Sequence, residues 1–328
     1  MNSLERVSAT LEGRPVDRRP FAAVLSLYGA RLTDCDPERY YTDPQAYVDG
    51  QTAVLETFGV DILFAPFYLA GLARAWGGTI HRRPGQAPYV QRPAIDCAER
   101  IGELVMPEFD TDESLVYIRR AVHGLVDRHG DEVPVVVPTL GPVDLPVLIM
   151  GLEAWLETLL FDPEGASRVL EVTTPFYRAW SSCLFREGVT CLVLPAVFLT
   201  PSVVTRRLLE KVALPLYREL MLDSEGPVLM HHGGGPAAPF LDAFARLPRT
   251  VVGFVVDETD SLSAARTQVG PRRVLASGPA GPSLDRTRPD AVIRRCRQML
   301  ESRRHDPSFI LCTTGADVSV DAPPAVIH

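Results

Sequence analysis

The chain has 328 residues, 46% of them hydrophobic, a formal net charge of −8 and a mean hydropathy near zero, so it can bury a large core and reads as a globular protein. An acidic balance without blocks of like charge excludes a sequence-independent grip on nucleic acid and a basic membrane patch. No apolar run has membrane-spanning length and the first residues lack signal-peptide character, so a cytoplasmic protein acting on a small-molecule substrate is expected.

Strand-like apolar runs recur at residues 21–25, 61–65, 133–138, 190–194, 227–231, 251–256, 273–276 and 308–312. Helical patterns fall between them at 44–57, 111–128, 144–160, 163–187, 201–222, 236–247, 261–268 and 289–304, several with Pro or Asp in the first turn. Eight β-then-α units, with no Gly-x-Gly-x-x-Gly after the first strand, predict an α/β fold of the (β/α)8 TIM-barrel type rather than a doubly wound sheet. Alternation around a Pro-Gly pair in residues 77–91 predicts a hairpin inserted after the second strand, and no linker or repeat divides residues 1–328, so one domain is expected.

The single lysine, Lys211, sits in a helical segment with no Gly-rich loop before it, which argues against a P-loop. The six cysteines, Cys35, Cys97, Cys183, Cys191, Cys296 and Cys312, show no zinc-finger or Cys-x-x-Cys spacing and read as reduced thiols.

In a barrel the residues that follow each strand form the mouth. The most informative stretch is 227–235, where an apolar run ends at His231 and His232, followed by Gly233, Gly234 and Gly235. Adjacent residues of a strand face opposite sides, so only one of the two histidines is expected in the lumen while the strand lasts. His231, Asp257 and Tyr28 are the candidates for acid/base chemistry. Arg31, Phe67, Phe198, His232, Gly233, Glu258 and Ser277 are candidate substrate contacts. Asp260 before Ser261 reads as an ordinary helix cap. Cys312, at the end of the last strand, reads as a buried thiol; as a metal ligand its natural partner is His231.

Residues 4–21 resemble the opening of the uroporphyrinogen decarboxylase superfamily, especially its corrinoid-linked methyltransferase branch. Segments 57–61, 141–142, 161–163, 227–234, 253–270 and 315–324 agree in order, so the resemblance spans nearly the whole chain. It implies a (β/α)8 barrel with its site at the strand ends. It also implies zinc held by a His-x-Cys pair and a distant Cys, and a corrinoid protein as partner in methyl transfer. His231 matches the histidine of that pattern, but Gly233 stands at the first cysteine position and Ala316 at the second. The arginine-rich loop of the decarboxylase branch is replaced near residues 26–31, where Gly29 and Arg31 remain, and Pro66 and Phe67 stand where that branch implies an aspartate. The expected function is methyl or other one-carbon transfer on a small substrate at the mouth. The alternatives are a metal-independent decarboxylase acting on a small or tetrapyrrole acid, and a non-catalytic barrel that binds a ligand or partner. Barrels of this type often pair, so a homodimer is compatible with the sequence.

Overall fold

The computed structural model describes residues 1–83 and 85–328. Eight strands form one parallel sheet: β1 (Phe21–Ala22), β2 (Leu63–Phe64), β5 (Val135–Pro138), β6 (Cys191–Pro195), β7 (Val228–His231), β8 (Val251–Val255), β9 (Val274–Ser277) and β10 (Phe309–Cys312). The order β1-β10-β9-β8-β7-β6-β5-β2 returns the last strand to the first, and helices lie between successive strands, which is a (β/α)8 TIM barrel. The remaining two strands, β3 (Thr79–His81) and β4 (Tyr89–Arg92), form the expected antiparallel hairpin after β2. Of its predicted Pro-Gly turn, Pro84 lies outside the described residues.

β1 and β2 are much shorter than the apolar runs that announce them, because no ladder joins them to each other. Their seam is closed by Asp61, whose backbone N–H donates to the Phe21 carbonyl at 2.7 Å and whose carboxylate accepts from the Phe21 N–H at 2.8 Å. The same fully buried carboxylate takes Ser3, Arg6 and Arg18, so the N-terminal helix Ser3–Leu11 is fastened across the base of the barrel.

Helix boundaries follow local chemistry. Asp43 caps the helix Pro44–Phe58 through the Gln45 N–H, and Gly59 ends it at φ +60°, a conformation that favours glycine. The predicted helix over 144–160 is interrupted at Gly151, φ +88°, into Pro146–Met150 and Leu152–Phe161. That over 201–222 begins only at Arg206 and widens into a π-turn at Leu209–Ala213, just before Pro215, which has no N–H to continue the regular ladder.

Candidate functional site

Strand alternation decides which side chains enter the barrel. Ala22 on β1, Phe64 on β2, Val136 and Pro138 on β5, Val193 and Pro195 on β6, Leu229 and His231 on β7, Ala276 on β9, and Ile310 and Cys312 on β10 all line the lumen, two residues apart where two come from one strand. On β8 the lining residues are Val252 and Val255, three apart. Here the register shifts by one residue, Val228 pairing Val251 while Leu229 pairs Gly253, and this bulge reverses the alternation. Because Ala22 and Ala276 are small, the side chains do not fill the interior. A cavity of about 510 Å³ runs from Val7 and Leu11 of the N-terminal helix to Phe67, Val197 and Ala316 at the mouth.

His231 is the histidine that enters this cavity, and its partner explains its state. The Gly233 N–H donates to Nδ1 at 3.0 Å, so that nitrogen must carry a lone pair and the ring proton of the neutral imidazole sits on Nε2. Burial first, and His232 beside it second, lower the pKa of His231 to about 3 against the opposing charge of Asp257. The ring is therefore an uncharged N–H donor at neutral pH. His232 stacks on it at 4.6 Å between ring centroids but does not line the lumen. The Gly235 carbonyl lies 2.7 Å from His232 Nδ1 and the Gly234 N–H 3.1 Å from it; the two demands are incompatible, and the shorter contact to the carbonyl places the proton on Nδ1. Its Nε2 is buried with no partner among the described residues.

Phe67, Gly233 and Cys312 line the lumen with His231; the other predicted site residues do not. Tyr28 sits on the helix Ser26–Leu32, fully buried, and its hydroxyl donates to the Ala322 carbonyl at 2.8 Å. Arg31 clamps the carbonyls of Val320 and Ala322 on the outside. Phe198 offers its backbone N–H to Asp144 at 2.8 Å, while Val197 takes the place at the lumen. Ser277 faces away because Ala276 faces in, and its hydroxyl is buried without a partner among the described residues. Glu258 is pinned by the Ala280 N–H at 2.9 Å and by Arg295 at 2.7 Å. Asp257 turns to Thr259, accepting from its N–H at 2.9 Å and its hydroxyl at 2.5 Å. Burial works against that carboxylate, but the Thr259 bonds outweigh it and hold its pKa below the ordinary value. Its imidazole neighbour at 4.0 Å is His232, on Nδ1.

Asp144 and Asp317, each following a strand run and so among the residues expected at the mouth, are carboxylates whose pKa is raised. Asp144 is fully buried, accepts from Phe198 and, at 3.3 Å, from the Tyr217 hydroxyl; burial outweighs both bonds and lifts its pKa to about 7. Its folded value lies above its unfolded one, so the stabilising protonated form is fully present below about pH 4 and lost as pH rises through 7. Asp144→Asn should flatten that dependence: its stability relative to the native chain should climb by up to about 4 kcal/mol between pH 4 and 8, read from denaturation midpoints at each pH. The second, Asp317, lines the lumen, accepts from the Ser26 N–H at 3.0 Å, and is raised to about 6, chiefly by burial. The signal for it was a carboxylate two residues after Gly315, whose φ of +81° turns the chain back over the last strand end.

The donor set does not fit zinc. Gly233 holds φ +74°, and a Cβ there would lie 2.6 Å from both the Ala196 carbonyl oxygen and Val197 Cα, so this backbone rejects the cysteine that the zinc pattern places here. Ala316 offers no thiol, and burial pushes the Cys312 thiol up to about 12, keeping it protonated. His231 keeps its only lone pair on the Gly233 N–H. Among the described residues no three His, Cys, Asp or Glu side chains are grouped to hold a metal ion. Gly233→Cys is expected to cost roughly 2–4 kcal/mol through the strained φ and the clash, and to bind no stoichiometric zinc, checked by thermal melting and metal analysis.

A family model described as Uroporphyrinogen decarboxylase (URO-D) matches residues 2–328. Among curated proteins the chain is similar to the methylcobamide:CoM methyltransferase MtbA of Methanosarcina acetivorans, 22% identical over 229 residues, covering 66% of this chain and 65% of that one. It is also similar to the methylcobamide:CoM methyltransferase MtaA of Methanosarcina barkeri, 22% identical over 211 residues, covering 61% and 60%. The chain thus spans less than two thirds of the length of these relatives. Among solved structures, a methyltransferase from Methanosarcina mazei superposes with a TM-score of 0.88 at 16% identity over 100% of this chain and 96% of that one. A B12-independent methionine synthase from Shewanella follows the same fold more loosely, with a TM-score of 0.57 at 10% identity over 88% and 87%. No helix among the described residues is long and apolar enough to cross a membrane.

Proposed function

We propose a function from the premise that this chain belongs to the uroporphyrinogen decarboxylase family: it transfers a methyl or other one-carbon group on a small substrate held in the barrel lumen, without zinc. The observation that carries the reading is the lumen itself, a largely apolar cavity of about 510 Å³ whose lining includes His231, an uncharged imidazole with its proton on Nε2. In this reading the bond between carbon and the substrate heteroatom breaks with its electron pair left on the heteroatom while the carbon bonds to the corrinoid partner, or forms by the reverse step, and His231 positions that heteroatom by donating a hydrogen bond to its lone pair. The neutral ring suits that task because it neither takes the heteroatom's proton nor repels a cationic centre. The apolar walls exclude water from the exchange. A corrinoid protein seated over the mouth is the proposed counterpart, since the similar curated proteins are named for methylcobamide.

Decarboxylation of a small or tetrapyrrole acid is less well supported. Among the described residues no arginine or lysine lines the lumen, so a substrate carboxylate would be desolvated without a counter-charge.

Free methylcobalamin serves as surrogate for the corrinoid protein. With small apolar thiols and amines as acceptors, chelator-treated protein is expected to demethylate methylcobalamin, followed by its visible spectrum. No demethylation with any acceptor, or demethylation that a chelator abolishes and zinc restores, would overturn the proposal.

A further inference from the structure

Asp317 is the one carboxylate that lines the lumen among the described residues, and no arginine or lysine lines it. The carboxylate is placed there by long-range pairing rather than by a flexible loop. The Thr313 N–H donates to Ala22, the Val24 N–H to the Thr313 hydroxyl, and the Val318 N–H to Val24, so residues 313–318 run beside residues 22–26 across the mouth. Within that seam Oδ1 of Asp317 accepts the Ser26 N–H at 3.0 Å, the Ser26 hydroxyl lies beside the carboxylate, and no ion pair engages the side chain among the described residues.

An anion in such a place is costly unless something compensates it. Its raised pKa, pushed up by burial against the Ser26 bond, is the sign of that uncompensated cost. The cavity it enters has aromatic walls: Tyr41, Tyr68, Phe64 and Phe67 line it, with Tyr41 and Tyr68 at 5.3 Å between ring centroids. The Tyr41 phenol is raised by burial and, next, by the charge of Asp317, so the two are electrostatically coupled. Ring faces carry negative potential, so aromatic walls with one lining carboxylate and no lining arginine or lysine favour a positive guest, with Arg82 and Arg74 acting on Tyr68 from outside the lining.

We propose that the lumen takes an organic cation, an ammonium on a small apolar body, and that Asp317 is the carboxylate that selects it. This assignment deepens the proposed function, with which it shares the lumen as the substrate site, and it names the substrate class. It differs from that function in needing no turnover, so binding alone tests it and the two can fail separately.

The probes are n-hexylammonium, n-hexanol and n-hexanoate, titrated calorimetrically into the full chain. Hexylammonium is expected to bind about tenfold more tightly than hexanol, and hexanoate more weakly than either, as a partly desolvated charge contact dictates. Asp317→Asn keeps an acceptor for the Ser26 N–H and should erase the preference while leaving hexanol affinity within about twofold, with an unchanged melting temperature reporting the intact fold. Hexanol or hexanoate binding as tightly as hexylammonium to the native chain, no hexylammonium binding, or a preference that survives in a folded Asp317→Asn would each overturn the assignment. The native series decides the charge preference even where the variant fails to fold.

Discussion

His231→Asn is expected to lower the rate of the proposed one-carbon transfer by about a hundredfold, with circular dichroism and the melting profile little changed. Asparagine is shorter, so its amide cannot present an N–H at the position of Nε2, although its oxygen can still accept the Gly233 N–H that orients the native ring. The loss should fall mainly on turnover if the bond tightens as carbon is exchanged, and on substrate affinity if it only holds the ground state. Burial keeps the ring's pKa near 3, so the native pH–rate profile should show no inflection of this histidine near 6.5. Activity within threefold of the native enzyme would remove His231 from the machinery and leave the cavity as a binding chamber.

Asp61→Ala is expected to cost about 3–5 kcal/mol, the usual result of removing one partner from a buried charge network. The carboxylate is fully buried and accepts from Arg6 at 2.7 Å, Arg18 at 2.5 Å, Ser3 at 2.8 Å and the Phe21 N–H at 2.8 Å. Its loss leaves the nearly buried Arg6 with Asp17 as its carboxylate partner and opens the seam between β1 and β2, where no strand ladder can compensate. Denaturation in urea measures the effect. A cost below about 1 kcal/mol would mean that water replaces the carboxylate and that the seam contributes little.

The barrel was legible because each strand announces itself through its own neighbours. Eight apolar runs of the right length, separated by capped helical patterns, carry the fold class, and all eight became strands of one sheet. The alternation rule also required that only one of the two histidines face the lumen, and β7, regular through His231, makes it His231. The rule of looking just past each strand end was less discriminating. Past β1 the chain enters a helix at Ser26, which buries Tyr28 against Ala322, away from the lumen, and carries Arg31 to the surface. Past β8 the chain turns on Asp257 and Thr259, which spends the carboxylate on its own backbone. Neither outcome has a signature beyond a few polar residues that fit several turns equally well.

Residues close in sequence thus determined the elements, their order, and the replacement of two zinc-pattern cysteines by Gly233 and Ala316. Only the tertiary structure decided that the lumen is left open, because its volume depends on which small side chains meet across eight strands. Only it decided that Gly233 has no room for a side chain, since the obstructing atoms belong to Ala196 and Val197 on the neighbouring connection. Asp317 shows the limit most plainly. Its place beside the aromatic wall rests on pairing with Ser26, 291 positions away, and contacts at that separation leave no periodicity in the local sequence for a reader to find.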